Sequence, residues 1–333
     1  LPASIGVYGD WGSGKSSLMH MCKDRLIEAD DKIKCLVFNG WLFENYEDAK
    51  TAILGTILDE INKKKRLSKK AKNILDGLYK SIDKFKMVKG AVKYGTDFLL
   101  TGVTGTLFNI IANPILGKIQ ETVESSSLEE VQSNISSELN NRELREDIRK
   151  FQDQFASLLE ETKISRLVIF VDELDRCRPD TILDTLEAIK LFLFKGKVAF
   201  VIGADERHIS YAVKSKFKDI EGIQIDIGKE YLEKLIQYPI RIPRLNADEV
   251  EIYIACLLLQ SELKEEDFEQ FKMNSLGELF RDKPDLHEKV VESLSVANQL
   301  ASVLSNGLHG NPRQCKRFLN SMYMRLQMAS YKN

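Results

Sequence analysis

Residues 9 to 17 read Gly9-Asp10-Trp11-Gly12-Ser13-Gly14-Lys15-Ser16-Ser17. A glycine, four residues and then Gly-Lys-Ser is the spacing of a phosphate-holding turn. The glycines let successive backbone N–H groups turn inward around an anion, and the Lys15 ammonium reaches the β- and γ-phosphates of a nucleoside triphosphate. The Ser16 hydroxyl is suited to a Mg²⁺ shell. Asp10, Trp11, Ser13 and Ser17 complete the stretch expected to line the nucleotide. A second chemical run ends the apolar segment "RLVIFV": Asp172 can join Ser16 in holding Mg²⁺, and Glu173 can polarise an attacking water. A carboxylate in that second place bears on whether the site hydrolyses its ligand or only holds it. The alternative for the two acids is a charge pair at a helix N-terminus.

Three further residues are candidates on position. Arg176, in "DELDRC", can pair with Asp175, reach the γ-phosphate of a neighbouring subunit, or only shape the loop, and Arg178 shares the in-trans reading. Asp205, closing "FVIGAD", can sense the γ-phosphate or orient water, or cap a turn. Arg313, in "GNPRQCKRFLN", opens a helix and can close onto the nucleotide as a sensor arginine, or carry a surface charge. Base preference is argued by absence: no Asn-Lys-x-Asp element follows a later strand, since Asn62-Lys63 lies in a lysine-rich stretch. ATP is therefore expected over GTP.

These residues need elements to hold them. "SIGVYG" has the pattern of a buried strand before the turn, and "KSSLMHMCKDRLIEA" carries Leu18, Met19, Cys22, Leu26 and Ile27 at helical spacing after it. "KIKCLVFNGWLF" is a second strand with Asn39 and Trp41 at its C-terminal end, where ligands of open α/β sheets bind. A helix follows in "YEDAKTAILGTILDEI". "RLVIFVD", the helix "TILDTLEAIKLFLF" and "KVAFVIGAD" give strand, helix, strand, and "YPIRIP" is a last strand with Pro239 and Pro243 near its ends. Such alternation predicts an α/β fold with a parallel sheet covered by helices on both faces. From Asn246 the pattern is helical, broken at "NGLHGNPR". The expected organisation is a core of residues 1–61 and 151–245, a mostly helical insertion over 62–150, and a helical lid over 246–333.

With 333 residues, 43% hydrophobic and 29% charged, the chain is long enough for a sizeable core, and its net charge of −2 gives no global attraction to nucleic acid. Lysines crowd "INKKKRLSKKAK" without the interleaved aromatics that stack bases, so direct nucleic-acid binding is disfavoured, with phosphate contacts the remaining route. The run 98–117, "FLLTGVTGTLFNIIANPILG", is free of charge and long enough to cross a bilayer, yet it holds Asn, Pro, Thr and Gly. Crossing the membrane, anchoring at its surface through 86–120, and packing against protein all stay open. Five cysteines without a C-x-x-C pair argue against a disulfide framework or zinc site and suit a reducing cytoplasm. The four histidines are scattered. A first residue Leu1, a few residues before the first strand, suggests a piece of something longer.

"YGDWGSGKSS", "VFNGWLF" followed by "YED", "IFVDELDRC", "YLEKLIQYPIRIP" and "GNPRQCKRFLN" together resemble the KAP family of P-loop NTPases, from one end of the chain to the other. The tryptophan after the second strand and the "DELDRC" and "YLEKLIQ" phrases carry more of that likeness than the two generic nucleotide motifs. The resemblance implies an additional-strand ATPase core related to AAA+ and STAND proteins, with ATP and Mg²⁺ bound, a helical C-terminal part, and a homo-oligomer or protein partner. Its members commonly insert a segment, often with paired membrane helices, where this chain has residues 62–150. That places the chain in the cytoplasm or at the inner face of the membrane. Bacterial members include proteins linked to exclusion of phage, so antiviral defence is the setting implied. Many members have Asp-Asp where this chain has Asp172-Glu173.

Overall fold

The computed structural model describes residues 2–43, 49–63, 67–91, 146–192, 197–216, 227–273 and 284–330. The charge-free run 98–117 lies outside the described residues. They divide into two units, Leu1–Val7 with Leu18–Ile240, and Tyr8–Ser17 with Arg241–Asn333. The phosphate-type turn thus belongs with the C-terminal helices.

The first unit is built on the sheet. Its strands are β1 (Ala3–Tyr8), β2 (Ile33–Asn39), β3 (Arg166–Asp172), β4 (Val198–Ala204) and β5 (Tyr238–Arg241), all parallel, in the order β2-β3-β4-β1-β5. The strand that precedes the glycine turn and the strand that ends in Asp172 are therefore separated by one additional strand, β4. Side chains alternate between faces along a strand, so unbroken burial means that both faces are covered. That holds from Leu167 to Asp172 in β3. At the edge, β5 is exposed along its length and tolerates Pro239, which has no N–H to give.

Helices link the strands: α1 (Lys15–Ala29), α2 (Ala49–Asn62), α3 (Lys69–Ala91), α4 over residues 146–161, α5 (Pro179–Phe192), α6 (Glu206–Lys216) and α7 (Ile227–Leu235). A boundary at 150 falls inside α4. Phe151 and Phe155 of α4 meet Phe192 of α5 with ring centroids 5.8 and 4.7 Å away, and Phe192 in turn meets Phe200 of β4 at 6.0 Å. All four rings are buried. Removing any one of them costs about 3–5 kcal/mol through lost transfer energy and the cavity left. Helix α1 corrects the sequence pattern. Met19 is buried, but Cys22 and Ile27 are exposed. At 3.6 residues per turn Ile27 lies half a turn round from Leu18, so the five apolar positions do not form one stripe.

The second unit carries α8 (Ala247–Glu262), α9 (Glu265–Met273), α10 (Pro284–Gly307) and α11 (Pro312–Ser330). Asn246 starts α8 with a reciprocal cap: its side chain accepts from the Glu249 N–H, and the Glu249 carboxylate accepts from the Asn246 N–H, both at 2.9 Å. Val250, Ile254 and Leu258 of α8 pack with Ala297 and Leu304 of α10 and with Cys315 and Leu319 of α11. The break expected at "NGLHGNPR" is the α10–α11 turn. Gly310 has a φ of +62°, and a Cβ there would stand 2.0 Å from the Leu245 carbonyl oxygen. The Leu245 N–H also donates to the Gly310 carbonyl at 3.1 Å. Gly310→Ala combines a left-handed backbone cost of about 1–2 kcal/mol with a backbone clash, so thermal unfolding is expected to show a loss of at least about 2 kcal/mol. A melting temperature equal to wild type would contradict this.

Candidate functional site

The turn at 9–17 is shaped by its own backbone. The Ser13 N–H donates to the Asp10 carbonyl at 3.1 Å, and Gly12 and Gly14 take φ values of +85° and +99°, which side chains rarely adopt. Lys15 is buried, and its ammonium donates to the carbonyls of Gly9 at 2.9 Å and Asp10 at 3.3 Å. Ser16 and Ser17 stand exposed in the first turn of α1. The Ser13 hydroxyl oxygen is buried without a hydrogen-bond partner. Such an orphan costs about 1–3 kcal/mol, and an anion's oxygen would satisfy it. A buried ammonium, an orphaned hydroxyl and two left-handed glycines fit a phosphate group.

The C-terminal residues of the same unit touch this turn. Arg244 donates to the Asp10 carboxylate at 2.9 Å. The Asn311 amide donates to the Trp11 carbonyl at 2.9 Å, while its carbonyl oxygen caps α11 by accepting from the N–H groups of Arg313 at 3.1 Å and Gln314 at 3.2 Å. Pro312 follows at the first helical position, where its missing N–H costs nothing. The Arg313 guanidinium carbon lies 4.1 Å from the centroid of the Trp11 ring.

In the first unit the acids sit at the C-terminal edge of the sheet. The register pairs Asn39 of β2 with Asp172 of β3, which brings the ends of the two strands level. Asp172 is buried, and its Oδ1 accepts the Glu173 N–H at 2.8 Å. Gly203 of β4 lies beside it: a Cβ there would come within 2.6 Å of the Met19 sulfur and 3.2 Å of Asp172 Oδ1. Glu173 is left-handed, with φ 57° and ψ 24°, a strain of order 1 kcal/mol or more that recurs where function fixes a backbone. Its Oε2 accepts from the Asn39 amide at 2.9 Å, and its Oε1 meets Arg176 at 2.8 Å. Among the readings open for Arg176, the observed contact is local, with Glu173 rather than Asp175.

Asp205 caps α6. Its Oδ1 accepts the N–H of Arg207 at 3.0 Å, and the Arg207 guanidinium grips both carboxylate oxygens at 2.9 and 2.6 Å. Its own N–H donates to Asp175 at 2.9 Å. The hydrogen bonds from Arg207 hold the Asp205 carboxyl below its ordinary value of 3.8, against the opposing effect of burial. A depressed folded-state value stabilises the fold above the unfolded-state value and loses that stabilisation as pH falls through the folded one. Asp205→Asn should therefore lower stability at neutral pH, and the difference from wild type should shrink below about pH 4. Chemical unfolding at pH 7 and at pH 3 checks this; a difference that grows in acid would contradict it.

Sequence reasoning named every residue of the glycine turn, both acids, Arg176, Asp205 and Arg313. It placed Asn39 at a strand end where ligands bind, without naming its partner, and gave no role to Gly203, Arg244 or Asn311. For Asn311 a signal existed, the Asn-Pro pair that caps a helix. Asn39 was visible as a polar residue at a strand end.

A parallel sheet with one strand added between the turn-bearing strand and the acid-bearing strand, together with the Gly-x4-Gly-Lys-Ser turn, defines a P-loop NTPase domain. The model of the KAP family P-loop domain matches residues 1–329, and the chain belongs to that family. Over 174 residues the chain is 31% identical to the uncharacterized protein MJ0182 of Methanocaldococcus jannaschii, a match spanning 49% of this chain and 85% of that protein. Among the described residues no helix is long and apolar enough to cross a membrane.

Proposed function

We propose that the chain binds ATP with Mg²⁺ and hydrolyses it, and that the cycle drives a conformational switch or motor. The observation that carries this reading is Glu173: a carboxylate directly after Asp172, on a strained backbone, oriented by a donor on each oxygen. The strained backbone and the Asn39 amide on Oε2 fix where the carboxylate stands, which suits a group whose Oε1 takes a proton once Arg176 releases it.

In this reading the inward N–H groups of residues 9–16 bind the phosphates and Lys15 neutralises the outer ones. Ser16 and Asp172 are the residues that would hold Mg²⁺, which would supply charge neutralisation to the phosphates. Glu173 orients the attacking water and takes its proton at Oε1, the oxygen that Arg176 covers in the resting arrangement. Asn39 keeps hold of Oε2 meanwhile. That arrangement also supports a second reading, a nucleotide-holding scaffold with little basal turnover, because Arg176 must give way before Oε1 can act. A homo-oligomer or partner protein is the natural trigger, and antiviral defence is the setting that the family resemblance supports.

The test is to titrate purified chain with ATP and GTP, with Mg²⁺ and with EDTA, following both binding and phosphate release. Binding and turnover of ATP that need Mg²⁺, with GTP weaker, are the expected outcome. Protein that binds neither nucleotide would overturn the reading.

A further inference from the structure

Trp11 occupies the second variable position of the glycine turn and stands 55% exposed. Exposed indoles are uncommon, and this one is engaged at two points. The Arg313 guanidinium lies over its ring at 4.1 Å, and the Asn311 amide holds its carbonyl at 2.9 Å. A third contact fixes the geometry: a Cβ on Gly12 would fall 2.5 Å from the Cβ of Arg313, so the missing side chain at position 12 is what admits the arginine. Asp10, the nearby acid of the turn, is taken by Arg244. Arg313 has no carboxylate partner among the described residues, so its positive charge is left facing the turn.

We propose that Trp11 is a positioning residue, which by stacking holds Arg313 over the turn and so sets a preference for nucleoside triphosphate over diphosphate. The inference rests on reading the turn as a nucleotide site. A guanidinium over an indole face keeps its in-plane N–H edge open, so stacking and phosphate binding are compatible. Stacking also restrains a long side chain whose ordering otherwise opposes binding. The extra charge of the terminal phosphate is what such an arginine distinguishes.

The experiment is calorimetric titration of the whole chain with Mg²⁺-ATP and, separately, Mg²⁺-ADP, for wild type, Trp11→Ala, Trp11→Phe, Arg313→Ala and the Trp11→Ala/Arg313→Ala double variant. Loss of a cation–π pair that is open to solvent predicts that Trp11→Ala and Arg313→Ala each weaken ATP about two- to fivefold. ADP affinity is expected to fall clearly less than ATP affinity, and thermal unfolding of each variant without nucleotide shows whether it is folded. The double variant should be no worse than either single one, the mark of two residues acting as a unit. Trp11→Phe keeps an aromatic face and should recover most of the ATP affinity.

Equal losses for ATP and ADP, additive losses in the double variant, or a Trp11→Phe as weak as Trp11→Ala would each overturn the positioning role while leaving nucleotide binding intact. A wild type that binds neither nucleotide overturns the nucleotide reading itself, and the role of Trp11 with it.

Discussion

Glu173→Gln is expected to retain ATP and to lose about 10²- to 10⁴-fold in turnover, the contribution of a positioned general base. The substitution preserves shape, and its amide oxygen can still accept from Asn39. What disappears is a carboxylate able to take a proton, together with the Arg176 ion pair. That pair is partly open to solvent, with side-chain exposures of 34% and 22%. Its loss is therefore worth no more than about 1 kcal/mol to the fold. Stability and ATP affinity near wild type, beside collapsed phosphate release, separate a catalytic defect from a folding one. Turnover reduced less than about tenfold would remove Glu173 from the role of base.

Lys15→Ala acts one step earlier. The ammonium is buried among the carbonyls of the turn, 2.9 Å from that of Gly9. Deleting one partner of a buried, hydrogen-bonded charge pair costs about 2–5 kcal/mol. Nucleotide affinity should therefore fall by roughly 10²- to 10³-fold. Two neutral carbonyls lose a donor, so some stability goes as well, but the α8–α10–α11 packing contains no part of this contact. Equilibrium titration with ATP checks the claim, and an unchanged affinity would contradict it.

Phosphate chemistry requires contiguous residues, which is why Gly9 to Ser16 and Asp172-Glu173 could be read directly. Unbroken apolar runs made β3 and β4 legible, and the alternation of strand and helix gave the parallel sheet. The remaining contacts of the site join residues that the sequence keeps far apart. Asn39 and Glu173 meet across 134 positions, Asp10 and Arg244 across 234, and Trp11 and Asn311 across 300. Only the register of β2 on β3, or the packing of the last helices, brings such pairs together. Periodicity also misled in α1, where apolar residues at plausible intervals spread over half the helix circumference and left Ile27 outside. The position of Asp205 allowed sensing or capping; its grip on Arg207 is a cap that no spacing rule would have selected.

The most direct test of hydrolysis is to load wild type and Glu173→Gln with ATP and Mg²⁺, remove free nucleotide, and identify by mass what each releases on denaturation after increasing times. Wild type is predicted to convert its bound ATP to ADP and phosphate while the variant keeps ATP. Wild type that keeps ATP as long as the variant would contradict hydrolysis by Glu173.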